Sequence, residues 1–310
     1  MQQLKFKKER IFAHENARLA AEKTICISGS TRSGTTLMGT ILHSCQNVEY
    51  IFEPPIILPI LLNISFVPEE CTRLLFESYI FEDLLLGQLA GRNVNLNEND
   101  DSCFYKAKTK KELAKRHSQS WRKNKMADCA KEIHPAFKMP EITPYLKDLQ
   151  ELYPSMEFVL MHRKANSVIN SLMKKRWLSE RNVSSLNFLW PCKIIENQTV
   201  PYWVSDQDIG YWAEWTELER AAYYYLQFVR PIEHLENAIV ISYEKLIEKP
   251  REIIDAMISK LKLNAGEKTQ SIVDGISEKT IPEKDWLSLL APSLRKPVIE
   301  LSERYTSDVL

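Results

Sequence analysis

Short unbroken apolar runs alternate along the chain with stretches of helical apolar spacing, a pattern that predicts a mostly parallel sheet with helices on both faces. TICIS, residues 24–28, is a β-prone run closed at once by Gly29, and TTLMGTILHSC after Gly34 has helical spacing. MEFVLM, residues 156–161, reads as a second buried strand. It follows an amphipathic helix in TPYLKDLQELYP, with Leu146, Leu149 and Leu152 inward, and precedes another in NSVINSLMKKRW. AIVIS, residues 238–242, is a third strand, and KPREIIDAMISKLKL behind it opens with proline near a first helical turn. YWAEWTELERAAYYYLQFV, residues 211–229, reads as one long helix with Trp212, Trp215, Leu218 and Tyr225 buried. Two less regular stretches, about 54–102 and 177–210, are expected to form loops, short helices and a cap over the sheet's carboxyl edge, where open α/β sheets bind ligands. No repeat, low-complexity segment or Gly/Ser linker interrupts this order, so a single domain over 1–310 is expected, with residues 1–22 as an extension.

Composition narrows the function classes. The chain has 41 basic and 41 acidic side chains in 310 residues, which speaks against non-specific nucleic-acid binding. One stretch, 106–125, holds nine Lys/Arg against one Glu; it reads as a solvated helix face, with steering of an anionic substrate as the alternative. Trp121 alone is interleaved with it. The six cysteines show no CxxC pair and no metal-ligand spacing, and are expected to be reduced and mostly buried. The amino terminus lacks the apolar core of a signal peptide. The most apolar stretch, 51–67, contains Pro54, Pro55, Pro59 and Glu53 and cannot be a spanning helix. A cytoplasmic location follows as the expectation, and the sequons at Asn63, Asn182 and Asn197 then have no use.

The chemistry concentrates where glycine does. Three of eight glycines are Gly29, Gly34 and Gly39, and Gly29-Ser-Thr-Arg-Ser-Gly34-Thr35-Thr36 has the G-x4-G spacing of a phosphate loop between strand and helix. A nucleotide triphosphatase would place lysine where Thr35 stands and an Asp at a strand end to support magnesium. Here the strands run into His162-Arg163 and Tyr243-Glu244, and the loop carries a cation of its own, Arg32. That combination suggests a phosphate-like group bound without obligatory metal.

SGSTRSGTTLM resembles the 5′-phosphosulfate loop of sulfotransferases that use 3′-phosphoadenosine-5′-phosphosulfate (PAPS). The resemblance implies that Arg32, Ser33, Gly34, Thr35 and Thr36 hold the donor's phosphosulfate end. LMHRKANSVINS is similar to the family's second motif and carries over Arg163 and Ser171 to the 3′-phosphate, although Lys164-Ala165-Asn166 departs from the usual turn. IVISYEKL is similar to the segment near the adenine and carries over Tyr243. Glu53, 21 residues after Arg32 in an apolar setting, matches the general base of the tyrosylprotein branch, and Lys138 in FKMPE resembles the lysine that stabilises the leaving oxygen with Arg32. His43, His134 and His162 are the other candidate bases; His43 reads as a packing residue.

Five of the seven tryptophans lie between residues 177 and 228. Trp190, Tyr202 and Trp203 are candidates for pocket wall and for core alike. The expectation is a sulfotransferase acting on a small-molecule acceptor with PAPS as donor, PAP as product and no metal. A Mg²⁺-dependent P-loop kinase and a non-catalytic nucleotide-binding module are the alternatives.

Overall fold

The computed structural model describes residues 11–118, 122–183, 190–195, 198–277 and 283–307. Trp121 and Asn197 lie outside them. After helix α1 (Glu15–Glu22) come β1 (Ile25–Gly29), helix α2 (Thr35–Ser44), β2 (Val48–Phe52), β3 (His134–Lys138), β4 (Glu157–His162), the two short strands β5 (Cys192–Ile195) and β6 (Gln198–Pro201), and β7 (Ile239–Ser242). The order β2-β3-β1-β4-β7 forms one parallel sheet, while β5 and β6 make a separate antiparallel pair. This is an α/β fold with a mostly parallel sheet. Alternation along β1 divides the core in two. Cys26 joins Phe137, Phe158 and Leu160 on one face. Ile25 and Ile27 join Ala136, Val159, Met161 and Ile241 on the other, against α2 and the helix Pro250–Lys260.

The sheet register determines what meets at the carboxyl edge. Phe52 and Ile27 both pair with Lys138, and Gly29 pairs with Met161. Glu53, Lys138, the loop after Gly29 and Arg163 therefore emerge side by side.

Several sequence-based expectations change. The segment expected to be irregular from 54 to 102 contains a nearly continuous helical run, Glu69–Ser78, Tyr79–Leu86 and Gly87–Leu89, which packs on the sheet face with Phe76 against Phe137. TPYLKDLQELYP starts in a 3₁₀ turn, Pro140–Tyr145, so the helix proper is Leu146–Leu152. The long helix over 211–229 is two, Ile209–Glu214 and Glu217–Val229. Thr216 and Glu219 form a capping box that starts the second, and Trp212 and Tyr225 are buried while Trp215 and Leu218 are half-buried. Three cysteines are buried, Cys26, Cys45 and Cys103; the other three are exposed. Among the described residues no helix is long and apolar enough to cross a membrane.

The basic stretch is in part a strut. Lys108 is buried and donates to the Cys45 carbonyl at 2.7 Å. Arg116 holds Glu49 of β2 through two bonds at 2.7 and 2.9 Å and also donates to the Gln88 carbonyl. A guanidinium fork on a buried carboxylate fixes position as well as charge.

His162 ends β4 wholly buried, its Nε2 2.9 Å from the Tyr225 hydroxyl, and burial pushes its pKa down to about 4. Between that value and the ordinary 6.5 the unfolded chain binds a proton that the folded chain does not. The contribution to stability is complete above pH 6.5 and is lost as pH falls toward 4, at up to about 1.4 kcal/mol per pH unit. His162→Gln should flatten the fall in melting temperature between pH 7 and pH 4.5; an unchanged slope would remove His162 as the cause.

Candidate active site

The loop after β1 is built by close approach. A Cβ at Gly29 (φ 120°) would lie 2.2 Å from the Met161 carbonyl oxygen, and one at Gly34 (φ 97°) would lie 2.6 Å from the Tyr243 ring. Gly34 is the residue before α2, whose first-turn N–H groups have no partners within the helix and point along its axis toward the loop. The loop is braced from both sides. The Thr143 hydroxyl accepts from the Gly29 N–H at 3.2 Å and lies 2.7 Å from the Ser28 hydroxyl, and the Thr31 N–H donates to the Tyr224 hydroxyl at 3.1 Å. Within this braced turn the Ser30 hydroxyl is buried and has no hydrogen-bond partner among the described residues.

The two arginines assigned from sequence meet. Arg32, in left-handed backbone at φ 68°, donates from Nε to the Ser171 hydroxyl at 2.9 Å. Arg163 donates from Nη1 to the Arg32 carbonyl at 3.1 Å, and its guanidinium lies 4.4 Å above the Tyr243 ring. The buried Nε of Arg163 has no partner among the described residues. Arg32, Arg163, Ser171 and Tyr243 thus converge from the loop, the end of β4, the helix Ala165–Lys175 and the residue after β7. Tyr243 fills the space between Arg163 and Gly34.

On the other side of β1, Lys138 forms an ion pair with Glu53. The ammonium side is nearly sealed at 4% exposure whereas the carboxylate side is 39% exposed, so the pair presents Glu53 to incoming molecules. Glu53 holds left-handed backbone at φ 44°, its N–H bonded to the Lys138 carbonyl at 2.9 Å, and the Lys138 ammonium lies 4.1 Å above the Phe52 ring. Non-glycine residues adopt this conformation at a cost of about 1–3 kcal/mol, and such residues cluster at functional sites.

Sequence reasoning did not find three residues of this neighbourhood. Glu141, three residues after Lys138, is largely buried; burial first and the charge of Glu53 second raise its carboxyl above the ordinary range, and one of its oxygens has no partner among the described residues. Thr143 and Tyr224 brace the loop across 114 and 193 residues of sequence. Lys138-Met-Pro-Glu141 could have flagged Glu141; nothing local could have flagged Tyr224. The histidines are elsewhere: His134 stands at the start of β3, away from the carboxyl edge, His162 is buried against Tyr225, and His43 lies in α2 beside Tyr50. Trp190, Tyr202 and Trp203 are core rather than wall. Each is under 9% exposed, and Trp203 packs edge-on against Trp190, Trp212 and Tyr224 at 5.2 to 5.9 Å.

The arrangement is an anion cradle lined by hydroxyls, N–H groups and guanidinium, next to a carboxylate–ammonium pair. It can hold a tetrahedral group and take a proton from a molecule placed against it. The sequence model of the Sulfotransferase family matches residues 24–267. Among solved structures, the chain is similar to the sulfotransferase domain of the Synechococcus PCC 7002 olefin synthase, with 18% identity over 93% of this chain and 95% of that one, TM-score 0.45. It is also similar to the sulfotransferase domain from the curacin biosynthetic pathway, with 13% identity over 93% and 98%, TM-score 0.46. A third likeness is to a sulfotransferase of Mycobacterium tuberculosis H37Rv, with 14% identity over 92% and 78%, TM-score 0.43. No curated protein sequence matches the chain.

Proposed function

The chain belongs to the sulfotransferase family, and on that premise we propose that it moves a sulfuryl group from PAPS to a hydroxyl or amine of a small molecule, in line and without a metal. The observation that carries the reading is the juxtaposition of the Glu53–Lys138 pair with a loop whose Ser30 hydroxyl, like Arg163 Nε nearby, is buried and has no hydrogen-bond partner among the described residues. These groups suit a ligand with two anionic ends. Ser33, Gly34, Thr35, Thr36 and Arg32 would hold the phosphosulfate, and Arg163 with Ser171 the 3′-phosphate, guanidinium being well matched to phosphate oxygens. PAPS supplies an activated sulfur on a phosphate leaving group. Glu53 takes the acceptor's proton as the acceptor atom's electron pair bonds to sulfur. Lys138 and Arg32 stabilise the phosphate oxygen that keeps the pair from the broken S–O bond. The products are a sulfated acceptor and PAP.

Calorimetry tests this directly. PAP should bind without magnesium and more tightly than ATP with magnesium; tight ATP·Mg²⁺ binding with none of PAP would favour the kinase alternative and overturn the reading.

A further inference from the structure

The 3₁₀ turn Pro140–Tyr145 that follows β3 brings two polar side chains to the carboxyl edge. Thr143 has a structural task there, the brace on Ser28 and Gly29. Glu141, three residues after Lys138, has none of that kind: its Oε2 is buried with no hydrogen-bond partner among the described residues. The carboxyl takes the Trp190 indole N–H, and the Glu141 backbone carbonyl takes the Tyr202 hydroxyl. Trp190 stacks on Tyr224 at 5.7 Å, and Tyr224 accepts from the Thr31 N–H at 3.1 Å. One aromatic wall therefore fixes both the loop and this carboxyl. A buried carboxyl left one bond short costs stability wherever it serves no purpose.

What the carboxyl faces gives it a use. Glu53, at the end of β2, and Lys138, at the end of β3, are the charged groups that act on it: burial first and the Glu53 charge second raise the Glu141 carboxyl, and Lys138 opposes them. Tyr202 and Tyr224 face it as well, but burial lifts both phenols above the ordinary tyrosine range, so they stay neutral at working pH. One ammonium thus stands among two carboxyls. Their repulsion is mutual, so the effect of the Glu53 charge on proton binding at Glu141 is matched by an equal effect of the Glu141 charge on Glu53. That coupling has a catalytic sense. An ammonium in direct contact weakens a carboxylate as a proton acceptor, and a second negative charge close by restores part of its strength.

We propose that Glu141 is a positioning residue for sulfuryl transfer: a second carboxyl whose charge keeps Glu53 a strong proton acceptor while Glu53 stays paired with Lys138. It acts through Glu53 and not on the reacting atoms. This rests on the sulfuryl-transfer reading and adds to it a partner for the base. As pH falls, Glu141, the more deeply buried of the two and not the one paired with Lys138, takes a proton first. Its negative charge is then gone, and Glu53, still ionised, is left the weaker base. Only at lower pH is Glu53 itself protonated, so the rate falls in two stages on the acid side.

Two measurements on the whole chain test it. In carbon-detected NMR of protein labelled at the glutamate carboxyls, the Glu141 signal should titrate above the ordinary glutamate range, and Glu53→Gln should lower its midpoint by about one pH unit, the size of coupling between two interacting carboxyls. An unmoved midpoint would overturn the proposal, and this arm leaves Glu141 itself untouched. The second measurement is sulfate release to water from ³⁵S-labelled PAPS, followed from about pH 5 to pH 9, with water in the acceptor's place. Glu141→Gln should slow release about three- to tenfold near neutral pH, a Brønsted response to a weaker base, with PAP affinity retained. Variant and wild-type rates should converge at acid pH, where wild-type Glu141 is itself neutral. A loss of the same size at every pH, or a rate equal to wild type throughout, would overturn the proposal. Failure of PAP to bind the wild-type protein would instead sink the sulfotransferase reading, whatever the carboxyl titrations show.

Discussion

Glu53→Gln leaves PAP affinity unchanged and lowers kcat by about 10²-fold or more, the range of a lost general base. The substitution keeps the side chain's shape and an oxygen that can accept from Lys138, so the ammonium stays in place while the proton acceptor is gone. The split between binding and turnover is the diagnostic. Lys138, almost wholly buried, has the Glu53 carboxylate as its ion-pair partner, and a variant that removed both charge and shape would let it swing away and mix two effects. Turnover within a few-fold of wild type, measured with labelled donor at saturating acceptor, would remove Glu53 from the chemical step.

Arg163→Ala weakens PAP by about 10- to 100-fold, the worth of one hydrogen bond to a charged group at about 1.5–3 kcal/mol, and weakens 5′-AMP far less. The comparison matters because Arg163 also braces the loop through the Arg32 carbonyl and stacks on Tyr243. Loss of the brace affects both nucleotides, whereas loss of the 3′-phosphate contact affects PAP alone. Equal losses in paired titrations would assign Arg163 to the brace only.

The strands buried on both faces were legible because no polar residue interrupts them: β1, β4 and β7 stand as apolar runs ended by the loop, His162 and Tyr243. β2 and β3 were not read. In β2, Glu49 breaks the apolar run, and the Arg116 fork from 67 residues away makes its burial tolerable. In β3, Pro135 argues against an internal strand. It is accommodated because His134 already donates to the Asn47 carbonyl on the β2 side and the ladder to β1 begins only at Ala136, so the missing N–H falls at the strand's start. The break at Thr216 was legible in principle, since Thr-x-x-Glu is a capping signature, but the continuous aromatic periodicity concealed it. The same periodicity left the cap tryptophans open between wall and core. Their orientation depends on Tyr224 and Phe228 across the fold, which spacing does not encode.

Thr143 and Tyr224 hold residues 29–34 from two separate elements, and Gly29 is further fixed by its sheet pairing with Met161 of β4. On the proposed reading, a turn immobilised in this way surrenders little conformational entropy on binding a nucleotide, and capture resembles rigid docking rather than folding around a guest. Changes in affinity among variants of the turn should then appear chiefly in residence time, with arrival rates governed by diffusion and ionic strength.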